Sequence, residues 1–220
     1  METSQLVDAI VQLVAQGPCA GLGVGPEEVR RLADFLQRLE AANATTNLVS
    51  KNSLDPEWLV GRHLRDSLLG LRYLPAREDG RRFRLVDVGS GGGFPVIPLL
   101  LVREDLDAWL FESIGKKERF LSETIERLSL TARVVNARFP FPPLMNEIRP
   151  IDVLTSRAVG RAGRLAREAR PHLAAGAVAL LWTTRPLMEA IRHESGMHRV
   201  SFHETPGTEV AGIAVLERST

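Results

Sequence analysis

The chain has 220 residues, 44% of them apolar and 25% charged, with a formal net charge of +1; this suffices for one substantial core and a small appended element. Cys19 is the only cysteine, which excludes an internal disulfide and any multi-cysteine metal site and fits a reducing compartment. The opening METSQLVDAI carries an early acid and no basic run, so it does not read as a secretory signal, and the longest apolar runs, Val96 to Val102 and Ala174 to Trp182, are far too short to cross a bilayer.

A soluble, cytoplasmic protein without a structural metal is expected. Among the cations, lysine occurs only at Lys51, Lys116 and Lys117 and the rest are arginine. Arginine favours bidentate phosphate contact and base stacking, although a GC-rich coding sequence produces the same bias.

In chain order, Leu6, Ile10, Leu13 and Val14 recur at helical spacing, and Gly17-Pro18 should end that helix. Gly25-Pro26-Glu27-Glu28 reads as the start of a second helix, with Leu32, Phe35, Leu36 and Leu39 on its apolar side. A polar stretch from Asn43 to Ser53 interrupts the pattern before Asp55-Pro56 caps a third helix, expected to run to about Tyr73. Residues 1–75 therefore form a helical extension packed on the core built by residues 76–220.

From Phe83 onward short β-rich runs alternate with helical segments, the pattern of successive βα units and a parallel sheet. Strands are predicted near 84–88, 107–112, 132–136, 151–155, 175–182, 198–204 and 210–216, with helices near 95–104, 116–129, 158–171 and 185–194. The last two strands have no helix between them and should form an antiparallel hairpin at one edge. The fold class is α/β, a doubly wound, Rossmann-like sheet with an N-terminal helical extension.

Leu85 to Pro95, LVDVGSGGGFP, is the richest segment: an apolar strand that ends in an acid and breaks into glycines. A dinucleotide fingerprint, G-x-G-x-x-G, fails because Phe94 stands where its third glycine belongs. The pattern present is acid-x-G-x-G-x-G, through Asp87, Gly89, Gly91 and Gly93, the form typical of S-adenosylmethionine (AdoMet) methyltransferases with this fold. AdoMet has no pyrophosphate to seat and carries an ammonium that an acidic strand end attracts. A plain glycine turn after a strand is the alternative.

Glu112, at the end of the second strand, is placed to accept hydrogen bonds from ribose hydroxyls, or is an exposed strand-end glutamate. Asn136 to Pro140, NARFP, follows the third strand; Phe139 is read either as cover for an adenine face or as a core aromatic. Thr155-Ser156-Arg157 ends the fourth strand, where the switch-point rule makes Arg157 the best candidate to touch both cofactor and substrate, against a plain surface arginine.

Across almost its full length the chain resembles the glucose-inhibited division protein B family, small-subunit ribosomal RNA guanine-N7 methyltransferases. The segments that carry the resemblance are Asn47-Leu48-Val49-Ser50, Arg62-His63-Leu64-Arg65-Asp66-Ser67, Val86 to Pro98, Glu112-Ser113-Ile114-Gly115-Lys116-Lys117 with Arg119-Phe120-Leu121, and Ser156-Arg157-Ala158. It implies AdoMet contacts from Gly89, Phe94, the Phe139-Pro140 backbone and Arg157, with Glu112 near the ribose. It also implies that Asn47, Arg62, His63 and Asp66 shape the substrate side; the alternative for these is a capping and ion-pair cluster tying the helices to the sheet. The sequence departs from the family at Pro140, often an acid, at Val96, often a glycine, and at Trp182-Thr183-Thr184, where a Lys-Gly pair commonly ends the fifth strand.

Methylation at guanine N7 needs no covalent nucleophile, in keeping with a chain that shows no catalytic dyad. Pyrimidine C5 methylation uses a cysteine adduct, and Cys19 lies outside the nucleotide fold. Phe141-Pro142-Pro143-Leu144 imitates an adenine-methylation loop but precedes the fourth strand. The expected partner is small-subunit RNA or an assembling 30S subunit, held by Arg62, Arg65, Arg72, Arg81 and Arg82 and by a helix stripe of Arg157, Arg161, Arg164, Arg167 and Arg170; a solvated face with Glu168 is the plainer reading. A catalytically weakened AdoMet- and RNA-binding module is the alternative function, prompted by Trp182 to Thr184, with a nicotinamide oxidoreductase a distant third.

Overall fold

A computed structural model describes residues 3–50, 54–77, 80–157 and 160–219. Helix α1 (Thr3–Ala15) buries Leu6 and Ile10, and α2 (Pro26–Thr46) buries Leu32, Phe35, Leu36 and Leu39. Glu28 reaches back to accept the Gly25 N–H at 2.9 Å, which fixes where α2 begins. Asn47 ends it in the left-handed conformation (φ 52°), donating its N–H to Asn43 O.

The predicted third helix is not uniform. An α turn, α3 (Pro56–Trp58), passes into a π-helical segment (Leu59–Leu64), then α4 (Arg65–Leu69) and a 3-10 turn (Gly70–Tyr73). The wide π turn carries Arg62 and His63, the kind of local irregularity that collects at functional positions. Lys51 to Ser53, at the end of the polar stretch, lie outside the described residues, as do Ala158 and Val159, where the helix after the fourth strand was expected to begin.

Strands β1 (Phe83–Val88), β2 (Leu106–Phe111), β3 (Ala132–Val135), β4 (Ile151–Arg157), β5 (Leu173–Thr184), β6 (Arg199–Glu204) and β7 (Ala211–Glu217) form one sheet in the order β3-β2-β1-β4-β5-β7-β6. The first five run parallel; β7 pairs antiparallel with β5 and with β6, the edge hairpin that the missing helix implied. Helices α5 (Val96–Val102), α6 (Gly115–Arg127), α7 (Pro142–Ile148), α8 (Ala162–Ala169) and α9 (Met188–Ser195) fill the crossovers. The sequence reading missed α7, whose proline pair at its first two positions supplies preset φ angles rather than apolar periodicity.

Alternating side chains of each central strand feed two cores. Leu85, Leu110, Val153 and Leu180 join α5, α6 and the N-terminal helices in one cluster, whereas Val86, Phe111, Leu154 and Leu181 join α7, α8 and α9 in the other. Strands buried on both faces read as continuous apolar runs, which is why β1 and β5 were legible. The N-terminal helices share a core with the sheet and cover the glycine segment after β1.

Candidate active site

Parallel strands β1, β2 and β4 end side by side, Val88 opposite Phe111 on one flank and Ser156 on the other. Such a carboxyl edge is where open α/β sheets bind ligands. The bend after Val88 is drawn onto β2 by Gly89 N–H and Ser90 N–H, which donate to Phe111 O at 2.8 and 3.3 Å, and Gly93 N–H closes it onto Ser90 O at 2.7 Å. At Gly93 (φ 90°) a Cβ would lie 2.7 Å from Ile97 Cγ1 and 3.2 Å from Phe35, so no other residue fits without displacement. Gly92, which the sequence reading did not single out, lets Leu39 and Leu48 close on the bend, since a Cβ there would sit 3.2 and 3.3 Å from them.

Glu112 holds the bend from within. It is buried, and its Oε2 accepts Gly91 N–H at 2.9 Å while Oε1 accepts Ile114 N–H at 2.8 Å. Asn136 Nδ2 donates to the Glu112 carbonyl at 2.9 Å, tying the end of β3 to the same point. The plainer reading of an exposed strand-end glutamate is thereby corrected: the carboxylate is an internal cap.

Asp87 is 1% exposed. Thr155 Oγ1 donates to its Oδ1 at 2.6 Å, and its buried Oδ2 has no hydrogen-bond partner among the described residues. Burial pushes its carboxyl up to about 7, opposed by hydrogen bonds from Ser90 and Thr155 and reinforced by nearby Glu112. The sequence reading places Thr155 at the end of the fourth strand but gives it no role; the β1–β4 register that pairs it with Asp87 is the signal that finds one.

Two cavities open along this edge. One, of about 400 Å³, lies between Gly89, Glu112 and Phe139 on one side and Arg161 and Arg164 on the other. Phe139 packs its ring against Phe111, 5.2 Å between centroids, and precedes Pro140 through a cis peptide bond. The second, of about 320 Å³, is lined by Arg62, Asp66, Arg157, Trp182, Thr184 and Thr205 among others.

Arg157 thus borders the second cavity. Its Nη1 donates to His63 O at 3.3 Å and its Nη2 lies 3.8 Å from Asp66 Oδ2. Asp66 also receives Arg65 Nη2 at 3.0 Å. Burial raises the Asp66 carboxyl above its ordinary value, and the neighbouring arginines offset part of that rise; burial likewise lowers Arg157, with Asp66 opposing. His63 stacks on Phe94 at 5.3 Å, and both its ring nitrogens are buried without a hydrogen-bond partner among the described residues. Burial and the adjacent Arg157 and Arg62 guanidiniums pull it down to about 4, so the ring is neutral at pH 7.

The expected residues therefore divide. Gly89, Glu112 and Phe139 line the first cavity, Arg62, Asp66 and Arg157 the second, and Phe94 sits behind them between Phe35 and His63, where its ring serves packing. Asn47 is an exposed helix cap lining neither cavity.

The arginine stripe needs correction. Arg157 belongs to β4, Arg161 precedes α8 and Arg170 follows it, so these positions do not share one helix. Arg161 and Arg164 border the cavity of Glu112 and Phe139, and Arg164 Nε pairs with Glu168 Oε1 at 2.7 Å. Arg81 and Arg82 precede β1 at the opposite edge of the sheet, where they reach Asp152 and Leu106 O.

Trp182 is the residue whose role was least visible in advance. It ends the buried part of β5, donates Nε1–H to Asp66 O at 2.8 Å, and lies so close to Gly70 that a Cβ there would meet the indole at 2.7 Å. It therefore fastens the turn that presents Asp66.

Among the described residues, no group of three or more His, Cys, Asp or Glu side chains could hold a metal ion, and no helix is long and apolar enough to cross a membrane.

The family model described as GidB, rRNA small subunit methyltransferase G, matches residues 28–205. A Sorangium cellulosum protein named ribosomal RNA small subunit methyltransferase G is 32% identical over 203 residues, 90% of this chain and 83% of that one. Among solved structures, cofactor-bound Rv0187 from MTB has a TM-score of 0.60 at 18% identity over 97% of both chains. A T. thermophilus 16S rRNA N2 G1207 methyltransferase in complex with AdoMet and guanosine has a TM-score of 0.53 at 18% identity, covering 70% of this chain and 43% of that one; at these identities the likeness is one of fold. The sequence match runs from α2 through both cavity walls to Thr205, and by it the chain belongs to the GidB family, rRNA small subunit methyltransferase G.

Proposed function

We propose that the protein is an AdoMet-dependent methyltransferase acting on N7 of a guanine in small-subunit (16S) ribosomal RNA. The observation that carries this reading is the glycine bend held from inside by Glu112, which lines the first cavity together with Gly89 and Phe139. Residues 76–220 act as the transferase domain and 1–75 as the extension that closes over it, in a cytoplasmic enzyme whose substrate is naked RNA or an assembling 30S subunit.

These residues fit the cofactor. Each Glu112 oxygen accepts one backbone N–H and retains a lone pair for a ribose hydroxyl. Asp87 Oδ2 offers an acceptor for the methionine ammonium, Phe139 an apolar wall for the adenine, and Gly89, Gly91 and the Phe139-Pro140 backbone shape the cleft, with Phe94 packed behind the bend. When bound, AdoMet supplies a methyl group already activated on a sulfonium.

The chain's remaining task is alignment. Guanine N7 presents an in-plane lone pair without a proton, so no general base is required, and holding N7 in line with the methyl group supplies most of the acceleration. Arg157 and Asp66 position the purine in the second cavity, and the Asp66 carboxylate accommodates positive charge arriving on the ring. His63, neutral and stacked on Phe94, is a positioning residue, as is Asn47 at the end of α2. Trp182 has a structural account in its bond to Asp66 O, so its presence does not favour a module that binds without transferring.

Isotopically labelled AdoMet is expected to transfer its methyl group to unmodified small-subunit RNA, naked or in subunits, with the label recovered as N7-methylguanosine. AdoMet binding without transfer to either substrate, or label at another atom, would overturn the reading.

A further inference from the structure

Two of the three tryptophans are core residues, Trp109 at 4% and Trp182 at 7% exposure, but Trp58 is 42% exposed. Arg62, one helical turn on, lays its guanidinium over the Trp58 ring at 4.5 Å from the centroid. Arg62 is also a wall of the cavity containing Asp66 and Arg157, and with Trp58, Arg65, Gly207 and Thr208 it borders a further open cavity of about 400 Å³. The two cavities thus share one arginine, which stands between the proposed guanine site and an exposed indole.

We infer that Trp58 and Arg62 form a stacking platform for a nucleotide flanking the target guanine in single-stranded RNA. The inference rests on the RNA methyltransferase reading and deepens it. An exposed aromatic face carrying a guanidinium matches a nucleobase, which offers a π-face whatever its sequence. Arg62 and Arg65 stand on the same cavity for the phosphates, against Glu57 as the opposing charge. Buried Asp66 neutralises part of Arg65, to which it is bonded, so Arg62 is the principal phosphate contact. The platform belongs to the extension and not to the sheet, so it gives the helical segment a part in choosing RNA context.

Trp58→Ala and Trp58→Phe test it, with binding of unmodified small-subunit RNA and of a single-stranded oligoribonucleotide as readouts. Trp58→Ala is expected to weaken RNA binding roughly 5- to 150-fold, the range for loss of one stacked base, while AdoMet affinity and melting temperature stay at wild-type values. Trp58→Phe should recover most of the affinity. RNA should quench indole fluorescence in the wild-type protein, and that quenching should be smaller in Trp58→Phe, where Trp182 on the guanine cavity still reports. Wild-type RNA affinity in Trp58→Ala, or quenching in Trp58→Phe as large as in the wild type, would overturn the platform alone. A wild-type chain that binds AdoMet but no small-subunit RNA would overturn the functional reading and the platform with it.

Discussion

Glu112→Ala is expected to lower AdoMet affinity by roughly 100-fold or more and to destabilise the protein by about 2–5 kcal/mol, because in the proposed site one carboxylate serves both the cofactor and the fold. Its two oxygens accept Gly91 N–H at 2.9 Å and Ile114 N–H at 2.8 Å in a site that is 7% exposed. Alanine leaves both part-buried donors without their carboxylate partner, each costing up to about 1–3 kcal/mol, and removes the proposed ribose acceptor. Glu112→Gln is the milder change. Its amide oxygen keeps one backbone bond while its NH2 opposes the other N–H, so stability and affinity should fall by an intermediate amount. Urea denaturation reads the first quantity and calorimetric titration the second. Wild-type AdoMet affinity in Glu112→Ala would remove the carboxylate from the cofactor site.

Trp182→Ala should cost about 3–5 kcal/mol of stability and lower kcat. The indole fills the space against Gly70 and supplies the hydrogen bond to Asp66 O, so its loss opens a cavity directly beneath the turn presenting Asp66. Trp182→Lys, which restores the family's common cation, should be no better tolerated, since the lysine neither fills the space of the indole nor escapes Arg62 and Arg157 on the same cavity. Gly70→Ala provides an independent check. Its new Cβ would stand 2.7 Å from the indole, so it should destabilise the wild-type protein and be much less harmful in the Trp182→Ala background. Additive costs in denaturation curves would show that the two residues do not act through one contact.

Trp182 also shows what the sequence leaves unreadable. As a letter it is only a departure from Lys-Gly; that it anchors Asp66 depends on β5 lying under α4 and the 3-10 turn after it, with a bond to a residue 116 positions away in the chain. The parallel strands and the glycine bend were legible because continuous apolar runs and alternating glycines are local patterns. Glu112 was placed correctly at its strand end, but its role as an internal cap required Gly91 and Ile114 to converge on it. The arginine stripe failed for a related reason: helical spacing means nothing where β4 ends and α8 begins several residues later. The π-helical segment likewise defeats a regular periodicity, and it is there that Arg62 and His63 take their positions.

Asp87 is the group through which the cofactor assignment meets solution chemistry. Its folded pKa, raised from an ordinary 3.8 to about 7, favours the folded cofactor-free protein at low pH; that contribution is complete below about 4 and is lost as pH rises through 7. An ammonium beside Oδ2 favours the ionised carboxylate, so binding must expel a proton wherever the free protein holds one. Calorimetric titration of AdoMet from pH 5 to 8 in buffers of different ionisation enthalpy measures this directly. The account predicts one site per chain, affinity that rises up to tenfold per pH unit toward 7 with a proton released, and a flattened profile in Asp87→Asn. Absence of binding, or a wild-type profile without proton release, would contradict it.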